Sequence, residues 1–172
     1  MFDFPHDTYN IDPNIVEKIS AVWFDPKWNP DLAIQIMPTT EIALQEELTD
    51  RTNIKVYSDG SGIDGKIGSS VVLFRGEVKR KLRYQLGLDK HHTVYEGEGI
   101  GMVLGLELIC MEQQVIMASM GVDNQAAITA TRLSCPAPSH YIWDLFHKHL
   151  TMVTRWHKDL FLTVIWMQGH RY

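Results

Sequence analysis

Three carboxylates stand where the local pattern begins or ends a structural element. Asp59 follows the alternating run NIKVYS, Glu98 lies inside the glycine-studded segment TVYEGEGIGMVLGLEL, and Asp123 closes the apolar run of QVIMASMGVDNQAAI. Carboxylate oxygens are hard ligands suited to Mg²⁺ or Mn²⁺, and two such ions ~4 Å apart can activate water and stabilise the leaving 3′ oxygen of a phosphodiester. Each acid also has a plainer explanation. Asp-Gly-Ser-Gly is ordinary turn chemistry, and Asp-Asn before a helix is a competent capping pair. Glu98 is harder to set aside, because residues 97, 99, 101 and 105 around it are all glycine. Each helical glycine costs ~1 kcal/mol relative to alanine. A helix that carries several of them is expected to lie close against a sheet, with Glu98 near a strand end.

The elements that must position these acids can be read in order. Residues 1 to about 37 are rich in Pro, Asp, Asn and Trp without a sustained period, so an irregular segment is expected there. A short helix from Thr40 to Leu48, preceded by a threonine cap, completes an N-terminal extension over 1–50, and the main domain is expected over 51–172. Ile54 to Ser58 alternates as a strand and leads into a glycine-rich turn over Asp59–Gly65. Two more strands, Ile67–Phe74 and Glu77–Leu86, extend an antiparallel meander. Thr93 to Gln113 has helical length, with Val94, Ile100, Val103, Leu104, Leu108 and Ile109 as candidate core positions. Gln114 to Met120 suits a buried central strand, and NQAAITATRL after Asp123 suits a helix. Ser139 is a plausible cap for an amphipathic helix over Tyr141–Asp159, and Leu160 to Met167 is the last strand.

Composition narrows the class. With 172 residues, 45% of them hydrophobic and 22% charged, the chain can bury one sizeable core. No run approaches the roughly 18 consecutive apolar residues of a spanning helix, and MFDFPHDTYN is no signal peptide, so no membrane partner and an intracellular location, nuclear or cytoplasmic, are expected. Cys110 and Cys135 have no neighbouring cysteine to complete a zinc or redox motif. A net charge of −5 argues against coating nucleic acid by bulk electrostatics. Local basicity remains, because Lys79-Arg80-Lys81-Leu82-Arg83 holds four of the sixteen Lys and Arg residues. A solvated strand face is the plainer account of that cluster.

Taken together, the motifs resemble the ribonuclease H family, in particular the domains attached to reverse transcriptases of fungal non-LTR retroelements. The resemblance runs from about Ile54 to His170. Tyr57-Ser58-Asp59-Gly60-Ser61 is similar to the family's strand-end Asp-Gly-Ser. Thr93-Val94-Tyr95-Glu96-Gly97-Glu98 resembles its helix motif, and Val122-Asp123-Asn124-Gln125-Ala126-Ala127 its Asp-Ser/Asn-Gln-Ala-Ala motif. The resemblance implies an α/β fold with a mixed five-stranded sheet flanked by helices, in which the strands leading to Asp59 and Asp123 run parallel. It implies metal-dependent hydrolysis of the RNA strand of RNA:DNA hybrids, with two Mg²⁺ or Mn²⁺ ions held by Asp59, Glu98 and Asp123. Asp59 would bridge them. Gly60 and Ser61, with Asn124 and Gln125, would contact substrate, Gly60 and Ser61 near the 2′-OH that distinguishes RNA. His170 falls in the family's Trp-x-x-Gly-His pattern, where it would assist catalysis or product release.

The resemblance also has a gap. The family carries a fourth acidic residue about ten positions beyond that histidine, at the start of a terminal helix, and this chain stops at Tyr172. The expectation is one weakened metal site and an uncovered sheet face, which would favour self-association or docking of the N-terminal extension with Trp23, Phe24 and Trp28. A remnant that binds nucleic acid or a protein without cutting is the alternative.

Overall fold

The computed structural model describes residues 32–132 and 139–167. They form β1 (Ala33–Gln35), α1 (Thr40–Thr49), β2 (Ile54–Ile63), β3 (Lys66–Arg75), β4 (Val78–Leu88) and α2 (Val94–Cys110). β5 (Met117–Val122), α3 (Gln125–Ala130), α4 (His140–Trp156) and β6 (Phe161–Trp166) follow. The strands make one sheet in the order β1-β6-β5-β2-β3-β4. β2, β3 and β4 are an antiparallel meander, whereas β2, β5, β6 and β1 run parallel. This is the mixed α/β sheet flanked by helices that the motifs imply.

Two differences from the sequence reading have physical causes. The sheet has six strands rather than five, because Ala33–Gln35, in the segment expected to be irregular, pairs with Thr163–Ile165. A three-residue edge strand is too short to show a period. The second difference concerns Asp59–Gly65, expected as a turn. β2 instead continues through Ile63, and the reversal uses only Asp64 and Gly65, at φ 50° and 69°. Two residues at positive φ make the type I′ turn that suits a hairpin's twist. Gly60 and Gly62 therefore lie within a strand, where glycine permits close approach of another backbone.

That approach is made by α2. One glycine per turn faces the sheet. A Cβ on Gly97 would sit 2.9 Å from Gly68 O, one on Gly101 would sit 2.8 Å from Ser69 Oγ, and one on Gly105 would sit 2.8 Å from Met120 Cε. Gly99 faces the other way, where a Cβ would meet Ile142 of α4. The helix is thus wedged between sheet and α4. Around it pack Met102, Leu106 and Ile109 with Val56, Leu73, Met120, Trp143, Phe146 and Val164, all buried.

Some local expectations do not hold. Val94, expected in the core, is exposed, since as the first residue of α2 it lies over the exposed end of β2 at Gly62. Ser139 precedes α4 as expected but makes no capping bond. Its backbone is left-handed at φ 64°, and its hydroxyl donates instead to Glu96 Oε1 at 3.1 Å. Cys110 is half-buried with a free thiol, and Cys135 lies outside the described residues. No described helix is long and apolar enough to cross a membrane.

Candidate active site

Parallel pairing of β2 with β5 aligns Ser58 with Val122, so Asp59 and Asp123 occupy adjacent positions at one end of the sheet. Asp123 follows the last residue of β5, and its carbonyl accepts a hydrogen bond from Trp166 Nε1 at 3.0 Å. Glu98 reaches the same place from the first turns of α2. Ligand oxygens of Asp59, Glu98 and Asp123 all lie within 4.8 Å of one another.

The start of α2 is held firmly. Thr93 and Glu96 form a capping box, in which Thr93 Oγ1 accepts from Glu96 N and Glu96 Oε2 accepts from Thr93 N at 2.8 Å. Glu96 Oε1 also accepts from Ser139 Oγ and, at 3.0 Å, from Tyr141 OH, which ties α4 to α2. Burial alone would raise the Glu96 pKa, but hydrogen bonds from Thr93, Tyr141 and Ser139, with His92 nearby, hold it below its ordinary value. Glu96 was not singled out as a positioning residue from the sequence. The Thr-x-x-Glu spacing ahead of an apolar helix was the available signal.

Glu98 behaves differently. It is 3% exposed, and its Oε2 is buried with no hydrogen-bond partner among the described residues. Burial, then the charge of Asp123 and less that of Asp59, push its pKa up from 4.5 to about 8, against a hydrogen bond from Gly60 N–H. The protein therefore gathers three acids at a cost in mutual repulsion, and one of them keeps a proton near neutrality. A hard divalent cation would relieve that repulsion and satisfy the unpartnered oxygen, so the donor set fits Mg²⁺ or Mn²⁺.

A stability prediction follows. Without divalent cation, an unfolded Glu98 releases its proton near 4.5, whereas the folded state keeps it to about 8. Stability should then be greatest below the lower value and fall as pH rises through that window. Glu98→Gln should flatten the fall in thermal melts run with chelator. An unchanged pH profile in the variant would contradict the coupling.

The other expected residues are distributed unevenly. Gly60 touches α2 directly, where a Cβ would sit against Glu98 N and 2.7 Å from Gly97 C. Ser61 is half-buried on β2, on the face of Asp59 by alternation. Asn124 Oδ1 accepts from Ala127 N at 3.0 Å as the cap of α3, which leaves its amide NH₂ and a second lone pair of Oδ1 for another contact. Gln125 opens α3 and is exposed. His170 lies outside the described residues.

No protein-family model and no curated protein matches this sequence. Solved structures do. RNase H1 from the halophilic archaeon Halobacterium salinarum superposes with a TM-score of 0.51 at 12% identity, covering 67% of this chain and 85% of that one. The N-terminal RNase H domain of a Mycobacterium tuberculosis protein, solved as a fusion with maltose-binding protein, gives 0.50 at 12% identity over 69% and 87%. LC11-RNase H1, solved in complex with an RNA/DNA hybrid, gives 0.51 at 14% identity over 67% and 85%. With the strand order and crossing helices described above, these likenesses establish the fold: the described residues form a ribonuclease H-like domain.

Proposed function

We propose that this protein is a divalent-metal-dependent endonuclease that hydrolyses the RNA strand of RNA:DNA hybrids. The observation that carries the reading is the convergence of Asp59, Glu98 and Asp123 within 4.8 Å at one end of a ribonuclease H-like sheet. The three carboxylates would hold Mg²⁺ or Mn²⁺, and two such ions when bound supply an activated water and charge neutralisation at the leaving 3′ oxygen. The protein's own part is positional. Capping at Thr93 and Glu96 fixes the first turn of α2, the Trp166 bond fixes Asp123, and β2–β5 pairing fixes the separation of the two aspartates. Half-buried Ser61 stands on the Asp59 face of β2, where a hydroxyl can meet the substrate strand. No protein nucleophile is needed.

The test is cleavage of an end-labelled RNA:DNA hybrid with Mg²⁺ or Mn²⁺, beside duplex DNA and duplex RNA of the same sequence. Cuts confined to the RNA strand of the hybrid, lost with chelator, are expected. Tight hybrid binding with no cleavage in either metal would favour a binding role. Preferential cutting of duplex DNA would move the protein to another nuclease class of the same fold.

A further inference from the structure

The edge strand β4 carries a charge pattern that the carboxylate site does not use. Its register pairs Lys79 with Phe74, Lys81 with Val72 and Arg83 with Ser70, while β2 pairs Tyr57 with Val72 and Asp59 with Ser70. Directly paired residues project to one side of a sheet. Val56, Ser58, Val71 and Leu73 are buried toward the helices, so Lys79, Lys81 and Arg83 stand in one file on the opposite face, which Asp59 shares.

All three are exposed, and among the described residues none has a carboxylate within ion-pair distance. Arg80, between them, turns the other way and meets Glu112 Oε1 at 3.1 Å. Lysine on an edge strand also discourages pairing with another sheet. That role does not require the file to begin in the row of Asp59. Two interstrand steps of ~4.8 Å place the Arg83 Cα roughly 10 Å from that of Asp59, and the file then advances ~6.8 Å per rung. That advance is close to the spacing of successive phosphates along a nucleic-acid strand. Lys79 Nζ lies 5.2 Å from the Phe74 ring centre, and Phe74 meets Tyr57 edge-on at 5.9 Å, so an aromatic floor lies beside the cations. In a chain of net charge −5, an unneutralised file of three cations is a local attraction for polyanion rather than a general one.

We propose that Lys79, Lys81 and Arg83 form a phosphate-binding file that holds one strand of the nucleic-acid duplex engaged at the carboxylate site. The identity of that duplex as an RNA:DNA hybrid rests on the function proposed above, whereas the file itself rests on charge and register. Each rung contributes a contact to phosphate, which adds affinity and orientation without reading sequence.

The experiment measures binding of a fluorescent RNA:DNA hybrid by anisotropy over a range of salt concentrations, in an Asp59→Asn background that leaves the hybrid uncut. Substituting Lys79→Gln, Lys81→Gln and Arg83→Gln together should make the slope of log affinity against log salt less negative by about 3, with about tenfold or more lost at low salt. Lys81→Gln alone should shift the slope by about 1 and serves if the triple variant melts early. Lys158→Gln, distant on the chain and off this strand, should change neither quantity. An unchanged slope in a folded triple variant would overturn the proposal. So would unchanged affinity accompanied by new self-association, which would assign the file to edge protection, or no measurable hybrid binding before substitution. Failure of the nuclease reading is separable: a chain that cuts no hybrid but loses the salt slope on substitution would keep the file and reject the cleavage.

Discussion

Asp59→Asn should reduce metal-dependent hybrid cleavage by roughly a thousandfold, about 4 kcal/mol of transition-state stabilisation. The substitution keeps the shape of the side chain and removes one negative charge from a group of three whose oxygens lie within 4.8 Å. It should also act on the protein without substrate. Removing the Asp59 charge relieves part of the repulsion that raises Glu98, so the variant should melt higher than the parent near pH 8 in chelator. Conversely, the rise in melting temperature on adding Mg²⁺ or Mn²⁺ should shrink, since the variant offers fewer ionised ligands. A variant with unchanged activity would remove Asp59 from the site. One with lost activity but an unaltered response to metal would separate its role from metal binding.

The second large effect is expected from a residue with no functional group. In Gly60→Ala, the new methyl would press against Glu98 N, 2.7 Å from Gly97 C and 2.9 Å from Val94 O. All three are backbone atoms of α2 and cannot rotate aside. The helix start must lift from β2, at a cost of about 1–3 kcal/mol or more for overpacking. Glu98 moves with it, and a displacement on the order of 1 Å at a reacting centre can cost about 10²-fold in rate. Gly62→Ala is the comparison, because its Cβ would meet the end of Ile67 at 3.3 Å, a side chain that can shift, and Val94 Cγ2 at an ordinary contact distance of 3.5 Å. Urea melts and cleavage assays should therefore show a severe variant and a mild one two positions apart. Equal, small effects would mean that α2 is not seated as closely as the glycines indicate.

These two residues show why parts of the site were legible and others were not. The acids announce themselves because few side chains suit hard cations, and the glycines of α2 do so because a helix rarely accepts one per turn without a packing reason. The purpose of Gly60 was obscured, since Asp-Gly-Ser-Gly fits a turn as readily as a strand under a helix. Only the second turn signal, Asp64-Gly65, reverses the chain. Ser139 misled for a similar reason, its hydroxyl being drawn to Glu96 across two helices rather than to its own. β1 was hidden because its pairing partner lies about 130 positions later in the chain, at Thr163–Ile165.

The sequence by itself determined the order of the elements after β1, the three acids and the glycine face of α2, since each depends on residue type and short spacing. Tertiary structure decided what long-range pairing controls. The β2–β5 register brings Asp59 beside Asp123, the seat of α2 on Gly60 buries Glu98 until its proton is held to about 8, and the β3–β4 register sets Lys79, Lys81 and Arg83 on the face of Asp59. The physical reason is that alternation assigns a side chain to one of two faces, while only pairing with a distant strand says which face it shares and with whom.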